Sequence, residues 1–230
     1  MRTAVLALGF GTALLGLRAA ADATAPSLAP SSQRIKGKID GYDPVARALS
    51  VTTNDKKSMS ITLEPDLRVI YDVRRTLNDI KAGDFIGTAT LRSRDGKLRA
   101  QEVHLFPDVM RGAGEGFTPN DASPGRAMTN ATVAEVQSVA ANKGTIRLTY
   151  RGGAVAPDGS CTGRAGSGAG CTGEAEVQIV PGVPIIGLMV GDESLLVAGA
   201  AVSLSVVSTA DGALASSRLT VEKDGVKPIL

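Results

Sequence analysis

DGKLRAQEVHLF, residues 95–106, returns 116 positions later as DGALASSRLTVE, residues 211–222, with Asp-Gly and the next Leu kept in place. Asp-Gly between apolar runs is a hairpin signal. In the first stretch Leu98 and Ala100 share one phase of an alternating strand, whereas Val103 and Leu105 share the other. Strand side chains alternate with period two, so a phase switch requires one extra residue, and a β-bulge is expected between Ala100 and Glu102. Leu214, followed by Leu219 and Val221, shows the same slip. A bulge of this kind lets a short sheet curl closed and hide its edges.

Outward from this corner the 116-residue offset holds without a gap over residues 61–106. It pairs Ile61 with Val177, Pro65 with Pro181, Ile70 with Ile186, Gly83 with Gly199, Ile86 with Val202 and Leu98 with Leu214. Identities are few, but apolar meets apolar, as expected of one unit used twice. The first strands match at an offset of 94, GKIDGY against ATVAEV with Gly37 opposite Ala131. The second unit has therefore gained about 22 residues, most of them in RGGAVAPDGSCTGRAGSGAGCTGE, which reads as an insertion in a hairpin loop. Short β-branched runs bounded by Asp-Gly, Pro-Gly and Gly-Gly recur along the whole chain, and the fold class is all-β. LNDIKAGD, residues 77–84, and its counterpart ESLLVAGA read as a helical turn or loop plugging a barrel end, with Leu77 and Ile80 pointing inward.

The chain opens with Arg2, an apolar run from Thr3 to Leu17, and then AAADATA. This is the order of a secretory signal peptide, assigned to residues 1–23, and the run is too short for a membrane span. Residues 24–33, rich in Pro and Ser, read as a disordered leader. The formal net charge is +2. Loss of Arg2 and Arg18 brings the exported form near neutrality, which gives no argument for nucleic acid or anionic lipid as partner. The only two cysteines, Cys161 and Cys171, lie in one glycine-rich stretch, and an isolated pair in an exported chain favours a disulfide.

GKIDGYDPVARALSVTT, LNDIKAGDFIGTATL and DGKLRAQEV together resemble a bacterial envelope domain family built as small OB-like β-barrels, often in tandem. The likeness is good over residues 34–106. It is weaker over 130–223, where Ala200 replaces the Asp84 that follows the glycine. The resemblance implies two tandem OB-like barrels, at 34–107 and 129–224, the second carrying the cysteine insertion at about 152–174. A Gly/Pro-rich stretch at 108–128, a linker or a packed interdomain loop, joins them and a tail follows at 225–230. It also implies a periplasmic or secreted location, and it brings no catalytic residues.

The candidate chemistry is sparse. His104, the single histidine, lies between Val103 and Leu105, so it is expected to face solvent, and no G-x-S-x-G elbow accompanies it. The cysteines have no neighbouring third ligand for a metal. GAGEG, residues 112–116, lacks the Lys-Ser/Thr ending of a phosphate loop and reads as a connector. Aromatics make up only 3% of the chain and tryptophan is absent, which supplies no stacking platform for single-stranded nucleic acid. Arg74, Arg75, Arg92 and Arg94 are a candidate anion or partner patch. The expectation is a non-enzymatic binding or structural module, with no cofactor and no metal. Its partner is an envelope protein or a small ligand; nucleic acid and stable membrane insertion after signal removal are not expected. The alternative is a metal-handling or thiol-redox protein using Cys161 and Cys171.

Overall fold

The first strand, β1 (Gln33–Asp43), alternates buried Ile35, Gly37 and Ile39 with exposed neighbours, the pattern of a strand with one face on a core. The computed structural model describes residues 32–120, 122–140 and 142–229. The expected signal peptide and nearly all of the leader lie outside these residues. The described residues carry fourteen strands and no α-helix. After β1 come β2 (Ala48–Thr53), the long β3 (Ser58–Arg74), β4 (Phe85–Arg92) and β5 (Leu98–Leu105). Next are β6 (Gly116–Pro119), β7 (Arg126–Ala140), β8 (Lys143–Gly152), β9 (Ala154–Val155) and β10 (Cys161–Arg164). The chain ends with β11 (Cys171–Ile179), β12 (Ile185–Val190), β13 (Ala201–Ser208) and β14 (Leu214–Val221).

Five of these strands close a small barrel. β1, β2 and β3 form an antiparallel meander, β14 runs parallel to β3, β13 is antiparallel to β14, and β13 returns to β1. Its interior holds Ile35, Ile39, Leu49, Val51, Ile61, Leu63 and Val69 from the first part of the chain and Val202, Leu204, Val206, Leu219 and Val221 from the last. Each such side chain contributes about 1.5–3 kcal/mol on full burial, so the two ends of the chain hold each other. A division into contiguous units at 34–107 and 129–224 would put β4 and β5 beside β1–β3. The hydrogen bonding sends them elsewhere: β4 pairs with β5 and with β7.

The other strands surround a second core. β7 pairs with β8, β8 with β11, and β11 meets β5 in parallel through two residue pairs only, Val177 with Leu98 and Gln178 with Arg99. This core gathers Leu77, Ile80, Ile86 and Val103 with Val133, Ile146, Leu148, Val177 and Ile179. Leu77 and Ile80 are buried on the helical turn at Leu77–Asp79, as the sequence implies, and the matching turn at Glu193–Leu195 sends Leu196 into the barrel core. Part of the stretch 108–128 is built into the fold. Within it β6 pairs with β7 and β10, and Glu115 is buried against Arg151, whose Nε and Nη2 donate to Oε2 at 2.9 and 2.7 Å.

The two Asp-Gly corners match in detail. Ser93 N donates to Lys97 O and Thr209 N to Ala213 O, both at 2.8 Å. Gly96 and Gly212 sit at φ 81° and 83°, the left-handed conformation this hairpin turn requires and glycine adopts without strain. The bulge falls where the phase switch puts it: Ala89 pairs with Glu102 and Thr90 with Ala100, leaving Gln101 over. In the second copy Ser205 pairs with Arg218 and Val207 with Ala215, again one residue long on the same strand.

Candidate functional site

The bulge decides which residues leave the core. Past it, Val103 continues inward while Glu102 and His104 point to the outer face of β5. At the matching place on β14, Leu219 and Val221 point inward while Arg218 and Thr220 line the opposite side of the same space. These two outer faces enclose a cleft of about 410 Å³. On the barrel side the sheet register aligns Arg34 of β1, Ser205 of β13 and Arg218 of β14 in one row. On the other side it aligns Asn130, Gly87 and His104 in one row, and Met128, Ala89 and Glu102 in the next. Apolar residues, among them Ile70, Leu188, Phe106 and Met110, line the rest. The long β3 and the six-residue β12 pair with each other along one edge of the cleft and place Asp72 opposite Leu188.

Asp72 and His104 are 2% and 3% exposed, yet Asp72 Oδ1 and His104 Nε2 have no hydrogen-bond partner. Buried polar atoms are rarely left unpaired, because losing water without a replacement costs about 1–3 kcal/mol. Asp72 Oδ2 accepts one bond, from the backbone N–H of Ile229 at 3.2 Å. Burial pushes the Asp72 carboxyl above the usual carboxylate range, against that bond and the nearby imidazole. Glu102 behaves oppositely. His104 Nε2 lies 3.7 Å from Glu102 Oε1, too long for a formed hydrogen bond. That imidazole, with Lys36 and Arg34 behind it, holds the Glu102 carboxyl below its usual range despite burial. Arg34, Arg218 and Arg164 line the cleft and form no ion pair among the described residues.

His104 is therefore not the solvent-facing residue its strand phase suggests. The phase is right, but the outer face of β5 is roofed by the barrel and the connecting strands, and single-strand periodicity carries no information about such a cover. The candidate arginines are not brought together. Arg74 pairs with Ile186, which also pairs with His104, whereas Arg92 pairs with Leu98. Six residues of β5 separate these two points, roughly 20 Å, and Arg92 Nη1 is occupied by Gly96 O at 2.7 Å. All four are exposed. The residues that do converge, Arg34, Asp72, Glu102, His104 and Arg218, carry one sequence signal, the bulge phase shared by Glu102, His104, Arg218 and Thr220. What faces what depends on pairings between strands distant in sequence, β13 and β14 with β1 and β3, and β4 and β5 with β7 and β11.

Cys161 and Cys171 form a disulfide, with Cα atoms 5.7 Å apart, and Cys161 is buried against the second core. A disulfide fits an oxidising compartment. Among the described residues no group of three or more His, Cys, Asp or Glu side chains is placed to hold a metal ion, and no helix is long and apolar enough to cross a membrane. Comparison with protein-family models, with curated proteins and with solved structures finds no match to this chain.

Proposed function

We propose that this chain is an exported, non-enzymatic binding module of the bacterial periplasm, built from two OB-like barrels that exchange their last two strands, with a small ligand held in the cleft between them. The strand order β1-β2-β3-β14-β13 has three meandering strands, a parallel partner and an antiparallel return. The pairings of β7, β8, β11, β5 and β4 repeat that order, and this supports reading them as the second barrel of a duplicated unit. One observation carries the binding role: two polar side chains, each more than nine-tenths buried, present unpartnered atoms to one cleft. The cleft is favoured over thiol or metal chemistry at Cys161 and Cys171 because those sulfurs are joined to each other and Cys161 packs in a core.

Native mass spectrometry of the protein released from bacterial periplasm tests this reading. A non-covalent small-molecule adduct is expected on the parent chain and is lost in His104→Phe, which fills the cleft. A parent chain that carries no adduct and gains no thermal stability from any of a broad set of small metabolites removes the binding role. Cross-linking in intact cells that captures a protein on the outer strand faces, with the cleft dispensable, converts it to a structural one.

A further inference from the structure

The two walls of the cleft come from positions related by the sequence offsets, and their chemistry is opposite. Arg218 corresponds to Glu102 and Thr220 to His104, while Arg34 corresponds to Met128. The barrel wall thus carries the Arg34 and Arg218 guanidinium groups without ion-pair partners, and the other wall carries the Glu102 carboxylate and the imidazole, with Asp72 at the edge between them and Arg164 four strands along the His104 row at the far end. No ion pair bridges the two walls within 4.0 Å among the described residues.

A ligand of either sign alone meets like charge on one side. An anion on Arg34 and Arg218 faces Asp72 and Glu102, and a cation on the carboxylates faces the arginines. Beside the buried Asp72 and the half-buried Glu102 such like-charge encounters are only partly screened and costly, although Arg34 and Arg218 are themselves exposed. A molecule with both charges satisfies both walls, and its body lies against Ile70, Leu188 and Met128. The volume is in the range of small-molecule sites, about 300–1,000 Å³.

We propose that the cleft binds a small zwitterion with an apolar body, an amino acid or dipeptide, whose carboxylate pairs with Arg34 and Arg218 and whose ammonium pairs with Asp72 and Glu102. This rests on the binding role proposed above and names its ligand class. Arginine suits the carboxylate because its planar donors match the two oxygens. The ammonium supplies the donor that Asp72 Oδ1 lacks.

Titration calorimetry of the full exported chain with L-leucine, L-leucyl-L-leucine, N-acetyl-L-leucyl-L-leucine and L-leucyl-L-leucinamide tests it. At least one free zwitterion is expected to bind, and each blocked dipeptide to bind about tenfold or more weaker than the free one, the scale of one charge-assisted contact. Arg218→Gln should narrow the preference for the free carboxylate and leave that for the free amine, and Asp72→Asn should do the reverse. A loss of fold would abolish both preferences together, so the crossed pattern reports the contacts themselves. Blocked dipeptides that bind as tightly as the free one overturn the zwitterion. So does a failure of all four probes to bind; if the periplasmic protein then still carries an adduct lost in His104→Phe, the binding role stands and only the zwitterion falls.

Discussion

The closed barrel and the ring of pairings around the second core differ in how their parallel seam is made. In the barrel, β3 runs unbroken for seventeen residues and pairs with β14 at six registered positions between Ala215 and Val221. In the other ring the counterpart of β3 is split into β11 and β12 by Val180-Pro181-Gly182-Val183-Pro184, and β11 holds β5 through two pairs. Proline has no N–H to give to a ladder, so two prolines within four residues end the strand. β12 makes up part of the loss by pairing with β5 at Ile185–Gly187, and Val103 N donates to Pro184 O at 3.0 Å. The region with the shorter seam also carries the insertion closed by Cys161–Cys171, where Tyr150 Oη donates to Cys161 O at 2.9 Å. The seam sets where an added staple is useful: the barrel has a ladder there, and the other ring has a disulfide nearby.

The sharpest way to break this comparison is to cut the chain. The barrel needs strands from both residues 33–74 and 201–221, so neither part alone can complete either core. Fragments 32–112 and 113–229 are each expected to lack a folded monomer, with dispersed amide NMR resonances appearing only on mixing, in a 1:1 complex. A folded monomer of either fragment would show that β4 and β5 can pair with β1–β3, and that their place beside β7 and β11 is a choice of pairing rather than a requirement.

Next in size are paired core truncations. Leu49 lies in the barrel core and Leu148 in the second, both 0% exposed. Leu49→Ala and Leu148→Ala should each cost about 2–5 kcal/mol in chemical unfolding. Because the chain crosses between the cores in both directions, each substitution should shift one shared transition. Two transitions, each sensitive to one substitution, would mean that the cores unfold independently.

A smaller effect separates the two seams. Replacing both cysteines by serine opens a loop of about eleven residues, worth roughly 2–3 kcal/mol by chain entropy. Hydrogen exchange should speed up first in β8, β10 and β11, which adjoin the disulfide, and least in β1 and β2. Uniform acceleration would show that the staple serves the whole molecule.

How much of this was legible depends on the range of the interaction. The hairpin corners at Gly96 and Gly212, the bulges beside Ala100 and Ser216, and the inward-facing Leu77 and Ile80 are local, and period-two phase with turn chemistry finds them. The disulfide followed from counting. The pairing of β4 with β7 did not show, because β4 has the same alternating pattern whether it pairs with β1 or with β7, and apolar patterning says which face is buried without saying by whom. His104 and Asp72 were missed for that reason: each is placed on an outer face by its own strand and buried by a partner distant in sequence.

Asp72 offers the finest test of how closely the outer faces are covered. Burial raises its carboxyl above the ordinary range in the folded chain, so folding favours the protonated form. A group raised in this way contributes stability that is full below its unfolded pKa, about 3.9, and is lost as pH rises through the higher folded value. Asparagine keeps an oxygen to accept from Ile229 N but has no charge to lose. Asp72→Asn should therefore melt higher than the parent at pH 7–8, by an amount of order 1 kcal/mol or less, and the gain should shrink as pH falls toward 4. The carboxylates held below their usual range, Glu102 and Glu115 among them, destabilise both proteins in acid and largely cancel in the difference. A gain independent of pH would place Asp72 in contact with water. A loss at neutral pH would mean that its charge is already answered by a cation from the arginine wall, which would make the two faces of the cleft partners in the empty protein as well as in the complex.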